Sequence, residues 1–130
     1  MLQRAATTVA TCEAAIDKGV AVYGPAAIEL IAVRNVLAQY LVEGDVPKAI
    51  AILEETLRIG VNGGSSPMDV PYAQALLALA YHLTKRHADG CGLAVRALAA
   101  LRDSAQTDMV TALVGSFPEL ASKTGHCAAK

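Results

Sequence analysis

Five side chains in the second half of the sequence are of the types that bind transition metals or act as nucleophiles. They are His82, His87, Cys91, His126 and Cys127, and imidazole and thiolate groups are the usual ligands of zinc. Their spacing completes no tetrahedral set, because no Cys-x-x-Cys or His-x-x-x-His pair accompanies them. Cys91 follows His87 closely, but no signature of an oriented base with an oxyanion-stabilising site is present. The sequence therefore predicts no metal site, no cofactor and no catalytic residue.

Arg34 and Tyr72, together with His82, are candidates for ligand binding. The planar guanidinium of Arg34 can bind a carboxylate or phosphate, although an acid on the same helix, such as Glu29, can also pair with it. We expect Asn35 to hydrogen-bond to the backbone of a neighbouring helix. If Arg34, Tyr72 and His82 point into an enclosed apolar pocket, the chain is a small all-α enzyme or a small-molecule-binding protein. The sequence leaves this alternative open.

The composition limits the class of protein. The chain has 130 residues, a length that suits one domain with a hydrophobic core. Hydrophobic residues make up 54% of it, above the usual ~45–50%, which favours self-association or an apolar groove. The net charge is −1 and the lysines and arginines form no basic stripe, so we expect no nucleic-acid partner.

Localisation signals are weak in this sequence. Threonines interrupt the apolar run between residues 5 and 12 that a secretory signal needs. No stretch of about 18 apolar residues occurs, so no transmembrane helix and no membrane association are expected. The three cysteines are odd in number and have unrelated spacings, which argues against a disulfide framework and for a reducing compartment. We expect a cytoplasmic protein.

Helix-breaking residues divide the chain into periodic segments. Gly24-Pro25, Gly44-Asp45 and the loop 60–67 mark boundaries, and Asp45 can cap the helix that follows it. Apolar residues recur at helical spacing between these points. Beyond an N-terminal helix, the predicted helices span 26–43, 46–59, 68–86, 93–102 and 108–114, with a turn at 87–92. The sequence thus predicts an all-α fold of five to seven helices, with one domain, 1–121, and a flexible tail, 122–130.

Two segments, 34–40 and 75–81, read as copies of one unit that ends in Tyr40 and Tyr81. The first copy resembles the tetratricopeptide repeat family in the longer-period form common in actinobacterial regulatory and adaptor proteins. The resemblance is carried by Gly24-Pro25, Arg34-Asn35, Leu37-Ala38, Tyr40, Gly44-Asp45, Ala49-Ile50 and Leu53-Glu54. The second copy lacks the Arg-Asn pair and has Lys85-Arg86-His87 at the turn. The two tyrosines are 41 residues apart, against a family period of ~34, and both are predicted to lie in the core.

The resemblance implies a short α-solenoid of stacked antiparallel helix pairs that works as a non-catalytic interaction module, an adaptor or a regulatory domain. By the family's pattern, the first helix of each pair lines a concave, mainly apolar surface. The expected binding residues are Ile31, Arg34, Ala38, Leu41, Tyr72, Ala75, Leu79 and His82. The expected partner is a peptide, a helix of another protein or a second copy of this chain.

Overall fold

The computed structural model describes residues 2–24, 27–60, 68–102 and 107–121. The α-helices in these ranges are α1 (Leu2–Tyr23), α2 (Ile31–Val42), α3 (Val46–Ile59), α4 (Asp69–Leu83), α5 (His87–Leu101) and α6 (Thr107–Ser116), with 3₁₀ turns at Ile28–Leu30 and Pro118–Ala121. No strand occurs in the described ranges. The predicted all-α class with five to seven helices is confirmed. The predicted tail, 122–130, and most of the predicted loop, 61–67, lie outside the described residues.

Two tight turns connect the central helices. Asp45 precedes α3 and accepts a hydrogen bond from the backbone N–H of Lys48 at 3.3 Å, while Pro47 lies in the first turn, where a helix does not use its N–H. The predicted cap is thereby confirmed. Between α4 and α5, Lys85 has a φ of 65°, a left-handed conformation that costs a residue with a Cβ roughly 1–2 kcal/mol.

Two hydrogen bonds set the register between α2 and α4. Asn35 donates from Nδ2 to the backbone carbonyl of Asp69 at 2.9 Å, and the Tyr72 hydroxyl donates to Oε1 of Gln39 at 3.0 Å. Because each pair lies about one turn further along both helices, α2 and α4 run parallel. The partners are 34 and 33 residues apart.

The register differs from the one that the two matching segments indicate. Aligning Tyr40 with Tyr81 requires an offset of 41 residues, whereas the α2–α4 hydrogen bonds have offsets of 34 and 33. The two tyrosines accordingly have different surroundings, since Tyr40 is 38% exposed and Tyr81 is 7% exposed. The prediction that Tyr40 is a core residue is wrong, while the same prediction for Tyr81 is confirmed.

Three apolar clusters form the core, and α4 contributes to two of them. The first joins α1, α2 and α3 through Cys12, Leu37, Leu41 and Ala49. The second joins α2, α3 and α4 through Ala38, Leu53, Ala73, Leu76, Leu77 and Tyr81. The third joins α4, α5, α6 and the final turn through Ala75, Ala78, Cys91, Ala94, Ala97, Leu98, Leu101, Leu113, Phe117 and Leu120. Many of these residues are alanines, whose small side chains let the helix backbones approach closely.

The helix α5 begins earlier than predicted, because Gly90 lies inside this helix and does not mark a turn. The sequence places a turn at 87–92, but α5 starts at His87 and includes Gly90 as a buried residue. A Cβ at Gly90 would lie 2.6 Å from the carbonyl oxygen of Ala78 and 2.9 Å from Cζ of Phe117. The glycine is thus required by the close approach of α4 and α5 rather than by a turn.

None of the helices in the described ranges is both long and apolar enough to cross a membrane.

Candidate functional site

A groove of about 350 Å³ runs between α2, α4 and α6. We call it the α2–α4–α6 groove. Its lining consists of Gln39, Val42, Glu43, Tyr72, Leu76, Leu79, Asp108, Met109 and Ala112. Tyr72, Leu76 and Leu79 of α4 are spaced by four and three positions, the spacing of side chains on one helix face. The groove is open to solvent, as a site for an extended partner must be.

A second depression of about 200 Å³ continues the groove towards the start of α2 and α4. We call it the Asn35 depression. Its lining consists of Ala32, Asn35, Val36, Gln39, Met68, Asp69 and Tyr72. Gln39 and Tyr72 belong to both linings, and their hydrogen bond crosses from one helix to the other where the two depressions meet. Partial burial raises the pKa of the Tyr72 phenol above its usual value.

Asn35 is the most deeply buried polar group of these surfaces, with 4% of its area exposed. Its Nδ2 donates to the Asp69 carbonyl, which confirms the prediction that it bonds to the backbone of a neighbouring helix. Its Oδ1 accepts no hydrogen bond among the described residues. A buried carbonyl oxygen without a donor is unfavourable, and this one belongs to the lining of an accessible depression.

The two linings carry acidic groups beside an apolar floor. Glu43 and Asp108 are exposed residues of the groove, and Asp69 belongs to the Asn35 depression. The apolar residues of the groove lining are Val42, Leu76, Leu79, Met109 and Ala112, of which Leu76 is buried. Lys, Arg and His are absent from both linings as far as the described residues go. The surface therefore combines apolar area with negative potential.

The structure places only two of the eight predicted binding residues in the groove, namely Tyr72 and Leu79. Four others, Ile31, Ala38, Leu41 and Ala75, are buried, which removes them from the exposed surface on which the prediction placed them. The physical reason is that α2 and α4 turn these faces towards neighbouring helices. Ala38, Leu41 and Ala75 belong to the apolar clusters that α2 and α4 form with α1, α3 and α5.

Arg34 lies on another side of the domain. It lines a depression of about 220 Å³ between α1, α2 and α3, together with Glu13, Ile16, Asp17, Leu37 and Ile52. Its charge acts there on Glu55, whose pKa lies below its usual value chiefly because Arg58 donates to the carboxylate and in smaller part because of Arg34.

His82 forms an aromatic cluster at the end of α4 instead of lining the groove. Its Nδ1 lies 3.0 Å from Nδ1 of His87, so one ring donates and the other accepts. Phe117 packs against both rings, with centroids 5.4 Å from His82 and 4.7 Å from His87. Arg34, Tyr72 and His82 thus lie in three different places, and the structure does not bring them together in the pocket that the enzyme alternative requires.

The histidines do not assemble a metal site within the described ranges. No group of three or more His, Cys, Asp or Glu side chains there is placed to hold a metal ion. The other two candidate ligands of the sequence, His126 and Cys127, lie outside the described residues.

Tyr81 joins α4 to its neighbours through polar contacts. Its hydroxyl donates to Oε2 of Glu54 at 2.5 Å, and the guanidinium of Arg86 lies 4.0 Å from the ring centroid. Burial, with smaller contributions from the bond to Glu54 and its negative charge, raises the pKa of Tyr81 to about 12. This neutral phenol stabilises the contact of α3 with α4 and lies away from the groove lining.

The cysteines differ in state. Cys12 is a buried free thiol, whereas Cys91 is disulfide-bonded. The sequence argues against a disulfide framework, and the structure nevertheless has a disulfide at Cys91. An odd number of cysteines argues against complete pairing, but it leaves room for one bond and one free thiol.

Comparisons with known proteins identify no relative. No family model matches the chain, and neither a curated protein nor a solved structure matches it significantly. The tetratricopeptide resemblance stays a prediction from the sequence motifs, and any function must be argued from the surfaces of the molecule itself.

Several groove residues have no counterpart among the predicted binding residues. This set consists of Gln39 and Val42 of α2, Glu43 directly after it, Leu76 of α4 and Met109 of α6. The hydrophobic pattern marks Val42 and Leu76 as apolar helix positions but does not say which neighbour they face. A spacing of 33 to 34 residues between α2 and α4, instead of 41, pairs Gln39 with Tyr72 and points to the correct face.

Proposed function

We propose that this protein is a non-catalytic binding module whose α2–α4–α6 groove holds an amphipathic segment of a partner protein, with apolar residues on one side and Lys or Arg beside them. The proposal keeps the predicted class of interaction module and replaces the predicted set of contact residues. It rests above all on one observation, a groove with an apolar floor, acidic edges and no basic group in its described lining.

The apolar floor favours a helix or an extended peptide as the occupant. Leu79 of α4 and Met109 of α6 are partly exposed apolar residues of the groove lining. Amphipathic helices bind apolar grooves through residues spaced at three and four positions. A small-molecule site, in contrast, usually encloses most of its ligand, and this groove is open.

The charges favour a cationic partner. Glu43, directly after the end of α2, and Asp108 of α6 belong to the groove lining. A lysine or arginine at each edge of a bound segment can pair with one of these carboxylates. Such edge contacts contribute modestly to affinity, about 0.2–1 kcal/mol each, but they select the sign of the partner's charge and its orientation.

Asn35 offers a polar contact to a bound segment at the end of the groove where the Asn35 depression begins. Its buried Oδ1 accepts no bond among the described residues and belongs to the lining of the depression that continues the groove. A backbone N–H of a bound segment can donate to it, which relieves the cost of an unpaired buried acceptor. A segment that follows the groove past Tyr72 reaches this position.

The test uses a synthetic helix of Leu and Lys, about four turns long, with one apolar and one lysine face, and a matched helix in which Glu replaces Lys. Binding is measured by isothermal titration calorimetry at about 0.15 M ionic strength. We expect the Lys helix to bind and the Glu helix to bind at least about tenfold more weakly. Equal affinity for the two helices would contradict the proposal.

Matched variants test the site. Glu43→Lys with Asp108→Lys reverses the two edge charges of the groove, and the double variant is expected to weaken binding of the Lys helix by roughly tenfold. The control, Asp17→Lys with Glu29→Lys, makes the same change in net charge at exposed positions outside the groove lining. An equal loss in both double variants would indicate non-specific attraction and would contradict a binding site in the groove.

A second copy of this chain is the competing occupant. Light scattering of the wild type and of Leu79→Arg separates the two cases. If the wild type is a stable dimer and Leu79→Arg is a monomer, the groove binds a second copy of this chain and not a different partner protein. A monomeric wild type that binds the Lys helix supports the proposal.

We also propose that the protein is related to the tetratricopeptide repeat family and that it is located in the cytoplasm. The parallel register of α2 and α4, with partners 33 and 34 residues apart, supports a tetratricopeptide-like arrangement because it agrees with that family's ~34-residue period. A cytoplasmic location is compatible with the absence, in the described helices, of one that could cross a membrane. The disulfide at Cys91 is more typical of oxidising compartments and weighs against a cytoplasmic location.

A further inference from the structure

The Asn35 depression combines a buried acceptor with a negative charge. Oδ1 of Asn35 accepts no hydrogen bond among the described residues, and both Asn35 and Asp69 belong to the lining. We propose that this depression is a binding site for a primary ammonium group, which donates a hydrogen bond to Oδ1 of Asn35 and is attracted by the carboxylate of Asp69. In the proposed function, on which this last step rests, the ammonium group belongs to the end of the bound segment.

Asn35 supplies an acceptor in a fixed position. Only 4% of the residue is exposed, and its Nδ2 donates to the backbone carbonyl of Asp69 at 2.9 Å. This bond determines which end of the amide is the oxygen, because a backbone carbonyl accepts from Nδ2 and cannot pair with Oδ1. Since buried acceptors are normally hydrogen-bonded, a ligand in the depression has a specific group to which it can donate.

The charges around the depression favour a cation. Asp69 is the first residue of α4, where the helix dipole places roughly half a positive elementary charge. The full negative charge of Asp69 exceeds it, and Glu29, in the 3₁₀ turn before α2, adds a second negative charge at this end of the helices. The lining, as far as the structure describes it, contains no Lys, Arg or His. Any N–H can donate to Asn35, but these charges favour a cationic donor, whose hydrogen bonds are stronger.

The dimensions of the depression favour an ammonium group among the possible cations. Its volume of about 200 Å³ is several times the roughly 30 Å³ share of a water molecule, so an ammonium group with a short alkyl chain fits. Ala32, Val36 and Met68 provide apolar lining for that chain. An ammonium carries three donors on one compact centre, whereas a quaternary ammonium has none and a guanidinium is best matched by a planar, bidentate partner.

The bond between Tyr72 and Gln39 lies where the ammonium site meets the groove. The Tyr72 hydroxyl donates to Oε1 of Gln39 at 3.0 Å, and both residues belong to both linings. The depression extends beyond them towards the start of α2 and α4, so a segment in the groove reaches it with a group at its end. Two groups of a peptide have the required chemistry there, the α-amino group and a lysine side chain.

The first experiment uses butylammonium chloride as the probe and follows the backbone amide signals of the isotope-labelled full chain by NMR at constant pH and ionic strength. We expect saturable shifts in residues 32–39 and 68–72, with a dissociation constant of about 1–10 mM for so small a ligand. Tetramethylammonium has the charge but no N–H, and butanol has a donor but no charge, so both should bind at least about fivefold more weakly. Equal binding of the three probes, or no saturable shift with butylammonium, would overturn the proposal.

Matched variants locate the site. Asp69→Asn removes the charge with little change in shape and should weaken butylammonium binding by about tenfold. The control, Asp108→Asn, removes one charge from the groove lining outside the depression and should bind like the wild type. Ala32→Phe fills the depression from an exposed position, leaves Asn35 and Asp69 in place and should abolish binding. Circular dichroism verifies folding, Ala32→Phe decides if Asp69→Asn does not fold, and wild-type affinity in either folded variant would overturn the proposal.

The third experiment identifies the ammonium group of a bound segment. The Lys helix is titrated with a free α-amino group, with an acetylated one, and with Gln in place of the lysines in its terminal turns. A loss of roughly fivefold on acetylation identifies the α-amino group, and the same loss on replacement by Gln identifies a lysine. Either loss should disappear in Asp69→Asn, because the two changes remove the same interaction. Equal affinity of the three helices for the wild type would refute an ammonium contact by the bound segment.

The probes separate the ammonium site from the proposed function. If butylammonium binds in the depression and the Lys helix does not bind, the proposed function fails and the ammonium site stands. If the Lys helix binds in preference to the Glu helix and butylammonium does not bind, the proposed function stands and the ammonium site is refuted.

Discussion

Asn35 of α2 donates a hydrogen bond from Nδ2 to the backbone carbonyl of Asp69, 34 residues later, at 2.9 Å. This carbonyl belongs to the first residue of α4, so the bond fixes where α4 begins relative to α2. The Tyr72 hydroxyl repeats the connection one turn further on, at Gln39. Together the two bonds hold the parallel register that places α2 and α4 side by side in the groove.

Replacing Asn35 by Ala should destabilise the protein by about 1–3 kcal/mol, because the variant leaves a buried carbonyl without its donor. Urea unfolding monitored by circular dichroism measures the change. Gln39→Ala is the matched control on the same helix: it removes the bond to Tyr72 at an exposed position and should change stability by no more than about 0.5 kcal/mol. Equal losses in the two variants would contradict the role of Asn35 in the register.

Two glycines of α5 should respond in opposite directions to alanine. Gly90→Ala puts a Cβ 2.6 Å from the Ala78 carbonyl oxygen and 2.9 Å from Phe117, and overpacking of this kind costs roughly 1–3 kcal/mol. Gly92→Ala meets nothing within 4 Å, so the higher helix propensity of alanine should stabilise the protein by about 0.5–1 kcal/mol. Thermal unfolding of the two variants is the measurement. A stabilised Gly90→Ala protein would show that α4 and α5 are further apart than described.

The same glycine shows why the start of α5 could not be read from the sequence. Gly90 follows a run of polar residues, which is the usual pattern of a turn. Its place inside a helix depends on Ala78 and Phe117, which are 12 and 27 residues away in the sequence. The start of α3, in contrast, depends on neighbouring residues, since Asp45 caps the N–H of Lys48. A helix start that depends on neighbouring residues, as in α3, was therefore predictable from the sequence. A helix start that depends on tertiary packing, as in α5, was not.

The candidate site was predictable only in part, for a similar reason. Helical periodicity separates apolar from polar positions, but α2 and α4 have apolar residues on most sides. Which of these residues face the groove depends on the register between the helices. Matching Tyr40 with Tyr81 gives an offset that differs from the observed one. The predicted binding face, taken from the tetratricopeptide pattern, includes Ile31, Ala38 and Ala75, which are buried, and also Tyr72 and Leu79, which line the groove.

Stability should fall at alkaline pH because of Tyr81. Its pKa is raised to about 12 in the folded protein, against about 10 in the unfolded chain. The folded state thus favours the protonated phenol, and the corresponding stability is fully present below pH 10 and is lost as the pH rises towards 12. Tyr72, whose pKa is also raised, contributes in the same direction.

The measurement is the free energy of unfolding between pH 8 and pH 12, followed in urea. Tyr81→Phe cannot ionise and should flatten the decline, although it starts from a lower stability because it loses the bond to Glu54. Tyr40→Phe, at an exposed position, should retain the decline of the wild type. A decline that is unchanged in Tyr81→Phe would contradict the assignment of this titration to Tyr81.

Phe117→Ala should separate the stability of α6 from that of the central helices. Phe117 is fully buried, packs on Gly90 and both histidines, and joins α6 to the last turn. Removing a buried phenyl ring costs about 3–5 kcal/mol. Hydrogen exchange should therefore accelerate most in α6 (Thr107–Ser116) and less in α2 and α3, which contribute to other clusters.

Val95→Ala, at an exposed position of α5, is the control and should leave hydrogen exchange in α6 close to that of the wild type. Equal acceleration in all helices of Phe117→Ala would show instead that the C-terminal cluster unfolds only together with the whole domain.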